Sequence, residues 1–205
     1  MEQGRQSDVR RGIRLERFTI GYNCLEALIA VGAGVWSGSI ALVGFGLDSV
    51  IEVASGGALL WRLYGDAGPR REAREKTALR SVGVCFCLLA AYVGWEAVES
   101  LLLREAPRPS LPGTLLALLS IVVMPLLARA KRGVAGRIGS AALQADARQT
   151  SLCMYLSAIL LAGLLLNALC GWWWADPAAA LVMVPIIARE GWDALRGKPC
   201  CAACH

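Results

Sequence analysis

Asp48 and Glu52 lie four residues apart in the stretch GFGLDSVIEVASGG, residues 44–57, where nearly every neighbour is apolar or small. At helical spacing the two carboxylates project from one face, a turn apart. That face also carries Ala41, Gly44, Ser55 and Leu59, mostly small side chains that let a neighbouring helix or water approach closely. Within a bilayer an acid is expensive, and it is kept where it faces a cavity, a partner or a transport path. Empty, the pair holds protons; a divalent cation displaces them. The competing reading is a structural pair satisfied by a buried arginine or by polar neighbours. Arg148 is the one basic residue inside an apolar span, and so the cation that reading requires.

A second constellation lies in LQADARQTSLCMY, residues 143–155. At roughly 100° per residue, Asp146, Gln149, Thr150 and Cys153 share a helix face, whereas Arg148 points to nearly the opposite side. Asp146 and Gln149 offer hard oxygen ligands, and Cys153 offers a thiolate that favours zinc-like or softer ions over magnesium or calcium. Taken alone, Cys153 reads equally well as a small buried apolar residue. Its spacing from Asp146 and Gln149, at i, i+3 and i+7, favours ligation.

Other acids are less pointed. Asn23 and Glu26 share a face with Ala30 and Gly34; they either line the approach to the acid pair or hydrogen-bond a neighbouring helix. Glu96 and Glu99 read as a solvated helix end or as an acidic mouth that concentrates cations. Asp176, followed by Pro177, reads as a structural cap at the start of its own helix. The tail KPCCAACH places Cys200, Cys201, Cys204 and His205 within six residues, a set of soft ligands with one CxxC spacing. Metal binding, acylation of the juxtamembrane cysteines and a passive tail all remain open there.

The elements that must position these residues follow from hydropathy. The chain has 205 residues, 56% of them hydrophobic, and a mean hydropathy of +0.51, which points to a bilayer as solvent. Apolar runs near 18–36, 40–61, 82–103, 111–128, 141–168 and 172–188 each approach the ~17 to 25 residues a span needs. The expected fold is therefore an all-α membrane protein with six transmembrane helices. It divides into a basic N-terminal arm over 1–17, a six-span domain over 18–196 and a Cys-rich tail over 197–205. The arm lacks the features of a cleaved signal peptide. Basic residues concentrate in 1–17, in 62–80, in 129–137 and at Arg189, Arg196 and Lys198, and are sparse on the other side, at Arg104 and Arg108. This asymmetry places both termini in the cytoplasm, with a bacterial inner membrane as the expected location. It also accounts for the net charge of +5; no clustered basic face or recognition motif supports nucleic-acid binding. Trp172, Trp173 and Trp174 are expected at the outer membrane interface, and Trp36, Trp95 and Trp192 at other span ends. The eight cysteines, most of them in spans or the tail, do not form a secreted disulfide framework.

The stretches SGSIALVGFGLDSVIEVASG, LQADARQTSLC and WADPAAALVMVPIIAREGWDALRG resemble spans two, five and six of the cation diffusion facilitator family. These are six-span exporters that exchange divalent metals for protons, usually as homodimers. The resemblance covers nearly all of residues 18–196. It implies a tetrahedral mid-membrane site built from two ligands on span two and two on span five, here Asp48, Glu52, Gln149 and Cys153. Family members more often carry His and Asp at the two span-five positions. The family's folded cytoplasmic domain has no counterpart in the few residues after span six, so dimerisation is expected to rest on the membrane part.

The resulting expectation is a proton-coupled exporter of zinc-like ions. Its partners are divalent cations, protons, the bilayer and a second copy of the chain, with no permanent cofactor. The alternative is a non-transporting metal sensor or partner subunit with the same fold. An intramembrane enzyme is disfavoured, because no His, Ser or Lys stands beside the acids as base or nucleophile.

Overall fold

The computed structural model describes residues 2–64, 71–104, 107–139 and 141–196. Six helices hold nearly all of them: α1 (Glu2–Ser37), α2 (Ile40–Tyr64), α3 (Arg71–Leu103), α4 (Leu111–Ile138), α5 (Ala141–Cys170) and α6 (Ala175–Leu195). No strand occurs among the described residues. The expected all-α bundle is the observed fold.

Among the described residues, five helices are long and apolar enough to cross a membrane, over Gln6–Ser37, Ile40–Leu60, Gly83–Leu103, Leu111–Ile138 and Asp146–Cys170. Helix α6, the sixth expected span, is the one outside that set of five. Asp176 at its start and Arg189, Glu190 and Asp193 near its end leave only residues 177–188 uncharged, short of the ~20 residues a full span requires. It packs along α3 and against α5 as a member of the bundle all the same.

Several helices outrun the limits read from hydropathy, each time at a basic end. Helix α1 runs through the arm from Glu2 onward, α3 begins at Arg71 rather than near 82, and α4 extends to Ile138 rather than 128. Hydropathy marks where the bilayer ends, whereas a helix ends at caps and breakers. The Arg, Glu, Lys and Ala residues beyond the apolar limits are good helix formers. Helix α4 shows the caps that do set its ends. Ser110 Oγ accepts the Gly113 amide at 3.2 Å at one end, and Gly139, with φ 62°, closes the other in the left-handed conformation.

Small residues set the helix separations. A Cβ added at Gly34 would lie 2.7 Å from Val43 Cγ2, and one added at Gly46 would lie 2.9 Å from the Val31 nitrogen, so α1 and α2 touch backbone to backbone. Gly83 and Gly191 do the same for α3 and α6. Such contacts hold helices together where lipid removes the hydrophobic drive. Phe45, Met124, Leu160, Met183 and Ile187 fill the centre, while Leu28, Leu102, Val122 and Leu169 point outward. Apolar residues on both faces are the pattern of helices whose outer surface meets hydrocarbon. At the bundle ends, Trp36 and Trp95 are exposed, and the Trp172 and Trp174 rings stack at 5.0 Å.

Candidate metal centre

The buried stripe of α2 runs through Ala41, Phe45, Asp48, Glu52 and Leu59, so both acids face inward as their spacing predicts. Asp48 is 4% exposed and Glu52 6%. The stripe of α5 that meets it runs through Leu143, Ala147, Thr150, Cys153 and Leu160. The two helices meet at Cys153, whose Sγ donates to Asp48 Oδ2 at 3.4 Å. One turn away, Gln149 Oε1 accepts from Ser55 Oγ of α2 at 3.2 Å, and its Nε2 has no hydrogen-bond partner. Asp48 and Gln149 border a narrow gap, with room for about one water molecule, that Phe86, Leu156, Ile187 and Glu190 help to line.

The structure thus brings Asp48, Gln149 and Cys153 to one interface. Glu52 is oriented differently. Its Oε2 accepts from Asn23 Nδ2 of α1 at 2.5 Å, and its Oε1 is buried without a partner. Asn23 and Glu26 therefore both bind α2, the latter through Ser49 Oγ at 2.8 Å. Among the described residues no three His, Cys, Asp or Glu side chains stand close enough together to hold a metal ion.

Asp146 belongs to another cluster. Its Oδ2 lies 2.5 Å from Lys131 Nζ, which also reaches Glu16 Oε2 at 3.0 Å and Thr150 Oγ1 at 3.4 Å. Lys131 is fully buried. This corrects one expectation: Lys131 is not part of a loop but lies on α4, buried inside the bundle just beyond the apolar run. Lysine can occupy this position because two carboxylates and a hydroxyl satisfy its ammonium. Helical phase carried the signal, since Lys131 falls on the buried stripe of α4 with Met124, Leu127 and Val134. Arg148 is half-buried, and its charge acts together with that of Arg189 on Glu190 of α6.

Asp176 also differs from expectation. Its carboxylate accepts from Ser39 Oγ at 2.5 Å and from the amides of Ile40 at 2.9 Å and Ala41 at 3.4 Å, so it caps α2 and not its own helix. The residue at the N-cap of α6, Trp174, makes no side-chain capping bond. Asp176 thereby fixes the end of the helix that carries Asp48 and Glu52. Glu99 accepts from Trp95 Nε1 at 3.1 Å on an exposed surface, in keeping with a solvated helix end. Cys200, Cys201, Cys204 and His205 lie outside the described residues.

An uncharacterized transporter of Synechocystis is 29% identical over 163 residues, which cover 75% of this chain and 52% of that protein. The chain thus spans about half the length of the curated relative it matches. The model of the cation efflux transmembrane domain matches residues 77–197, a stretch that takes in α4, α5, α6 and most of α3 and amounts to more than half of the chain. Helix content, apolar spans and this match agree, and the chain belongs to the cation efflux transmembrane domain family.

Proposed function

We propose that the protein exports a divalent heavy-metal cation such as zinc in exchange for protons, with Asp48, Glu52, Gln149 and Cys153 as ligands. The contact of Cys153 with Asp48 in the buried α2–α5 interface is the observation that carries this reading. A thiol in contact with one carboxylate, with an amide and a second carboxylate each a turn away, is a donor set suited to zinc rather than to magnesium or calcium.

Each ligand has a present bond that an ion would replace. Cys153 gives up its proton and its contact with Asp48, and Gln149 turns from Ser55. Glu52 turns from Asn23 toward α5. Ion binding is then linked to a loosening of Glu52 from α1, and proton release follows because the thiol and any protonated carboxyl must ionise to coordinate. Rocking of helices about the site would alternate its access between the two sides. The concentration of basic residues at one end of the bundle supports cytoplasmic termini in a bacterial inner membrane. A homodimer held by the membrane part, and metal delivery by Cys200, Cys201, Cys204 and His205, complete the proposal.

The test is uptake of radiolabelled zinc into proteoliposomes bearing an imposed pH gradient, with Asp48→Asn as control. Gradient-dependent uptake that the control lacks is the expected result. Zinc binding without flux would instead favour a sensor or partner subunit.

A further inference from the structure

Helix α1 carries two buried glutamates, each 1% exposed, whose charges are handled in different ways. Glu16 has Lys131. Glu26 has no basic partner among the described residues, and hydroxyls surround it instead. Ser49 Oγ donates to Glu26 Oε2 at 2.8 Å and also lies 3.2 Å from the Phe45 carbonyl. The hydroxyls of Tyr22, on the same helix, and of Ser120, on α4, are close enough to interact with the carboxyl. Yet Glu26 Oε1, Tyr22 Oη and Ser120 Oγ are all buried without a formed hydrogen bond. The titratable groups on which the charge of Glu26 acts are Asp48 and Glu52 of α2, Cys153 of α5 and Tyr22 of α1, none of them a base that could pair with it.

A buried carboxylate among other acids cannot keep its charge uncompensated. Its own unpartnered Oε1 and the two unpartnered hydroxyls of Tyr22 and Ser120 beside it point to the compensating group. We propose that Glu26, with the hydroxyls of Ser49, Tyr22 and Ser120, forms a separate site for one hard monovalent cation, a proton or an alkali ion. One positive charge neutralises the single carboxylate. A hydroxyl can donate to the carboxylate, accept from a carboxylic acid or coordinate an ion, so the same cage serves either occupant. With only carboxyl, hydroxyl and carbonyl oxygens at hand, the site lacks the soft donor that Cys153 supplies one interface away. If the exchange proposed above holds, and this role rests on it, Glu26 holds a counter-transported cation apart from the metal ligands.

Infrared spectroscopy of the full chain in lipid, free of zinc, tests the site without reference to transport. At neutral pH without sodium or potassium, the wild type should show a protonated-carboxyl stretch that shifts in deuterated water and is lost in Glu26→Gln. Added sodium that bleaches this band identifies an alkali ion as a competing occupant, and a band indifferent to sodium and potassium identifies the proton alone. Ser120→Ala and Tyr22→Phe, which leave the charge unchanged, should each shift the band. Overturning results are a difference spectrum that reports an ionised Glu26 under salt-free conditions, or a band that neither hydroxyl deletion moves. In proteoliposomes, Glu26→Gln should carry zinc without response to an opposing gradient of the identified cation, and a retained response would refute the coupling role. A wild type that moves no zinc would defeat the transport reading while leaving the spectroscopic result intact.

Discussion

Replacing Lys131 with methionine removes a cation from the bundle interior and keeps the length of the side chain. Lys131 is 0% exposed, with carboxylate oxygens at 3.0 Å on α1 and 2.5 Å on α5. At an effective dielectric of about 20, each contact carries roughly 5 to 7 kcal/mol of attraction. Much of that offsets the removal of three charges from water, so the net value of the cluster is far smaller than the sum. The asymmetry lies in what remains afterwards. Glu16 and Asp146 stay behind without a counter-ion, and loss of one member of a buried pair costs about 3 to 5 kcal/mol. Glu16, buried without its counter-ion, can escape by taking up a proton, which makes the loss larger at alkaline pH and smaller as the pH falls. The triple variant Lys131→Met, Glu16→Gln, Asp146→Asn leaves no orphaned charge, and its stability should return to within about 1 kcal/mol of the wild type. Unfolding by a denaturing detergent in mixed micelles, followed by tryptophan fluorescence at mildly acid and mildly alkaline pH, measures all of this. A single variant destabilised by less than about 1 kcal/mol at alkaline pH, or a triple variant no better than the single one, would refute the reasoning.

Asp48→Asn should abolish zinc binding by calorimetry and leave stability equal or higher, because the amide keeps the shape and removes a buried charge; retained zinc binding would exclude Asp48 as a ligand. Cys153→Ser replaces the soft donor with a hard one, so zinc affinity should fall at least tenfold, about 1.4 kcal/mol, and unchanged affinity would show that Cys153 is only a packing residue. Asp176→Ala removes the cap shared by Ser39, Ile40 and Ala41 and should destabilise the bundle by about 1 to 3 kcal/mol. Exchange of the Ile40 and Ala41 amides with deuterium should quicken in that variant, and unchanged protection would contradict a capping role.

The parts of this protein that were legible in the sequence are those governed by a single helix. Spacing placed Asp48 and Glu52 on one face and Gln149 and Cys153 on another, and both faces are the ones that turn inward. Hydropathy located the spans but not the helix ends, because it measures partition into lipid and is silent on how far a charged segment continues as helix. Partners across helices were not legible. Asp176 followed by Pro177 has the local pattern of a cap for its own helix, and only the packing of α6 beside the start of α2 shows that the carboxylate caps a different helix. Lys131 was hidden for another reason: a lysine just past an apolar run reads as an interfacial charge, whereas its phase along α4 already placed it on the stripe of Met124 and Leu127. The same extension applied to α1 leads from Asn23 and Glu26 back to Glu16, seven residues before Asn23 and on the same face. Helical phase therefore predicts which charges are buried, and charge matching across helices decides how each is tolerated. By that criterion Glu16, Lys131 and Asp146 form a self-compensated set, while Glu26, Asp48 and Glu52 have no lysine or arginine paired with them among the described ion pairs. Asp176, equally buried and without a paired cation, is satisfied by the Ser39 hydroxyl and two amides, which leaves Glu26, Asp48 and Glu52 as the acids whose charge the proposed ions would neutralise.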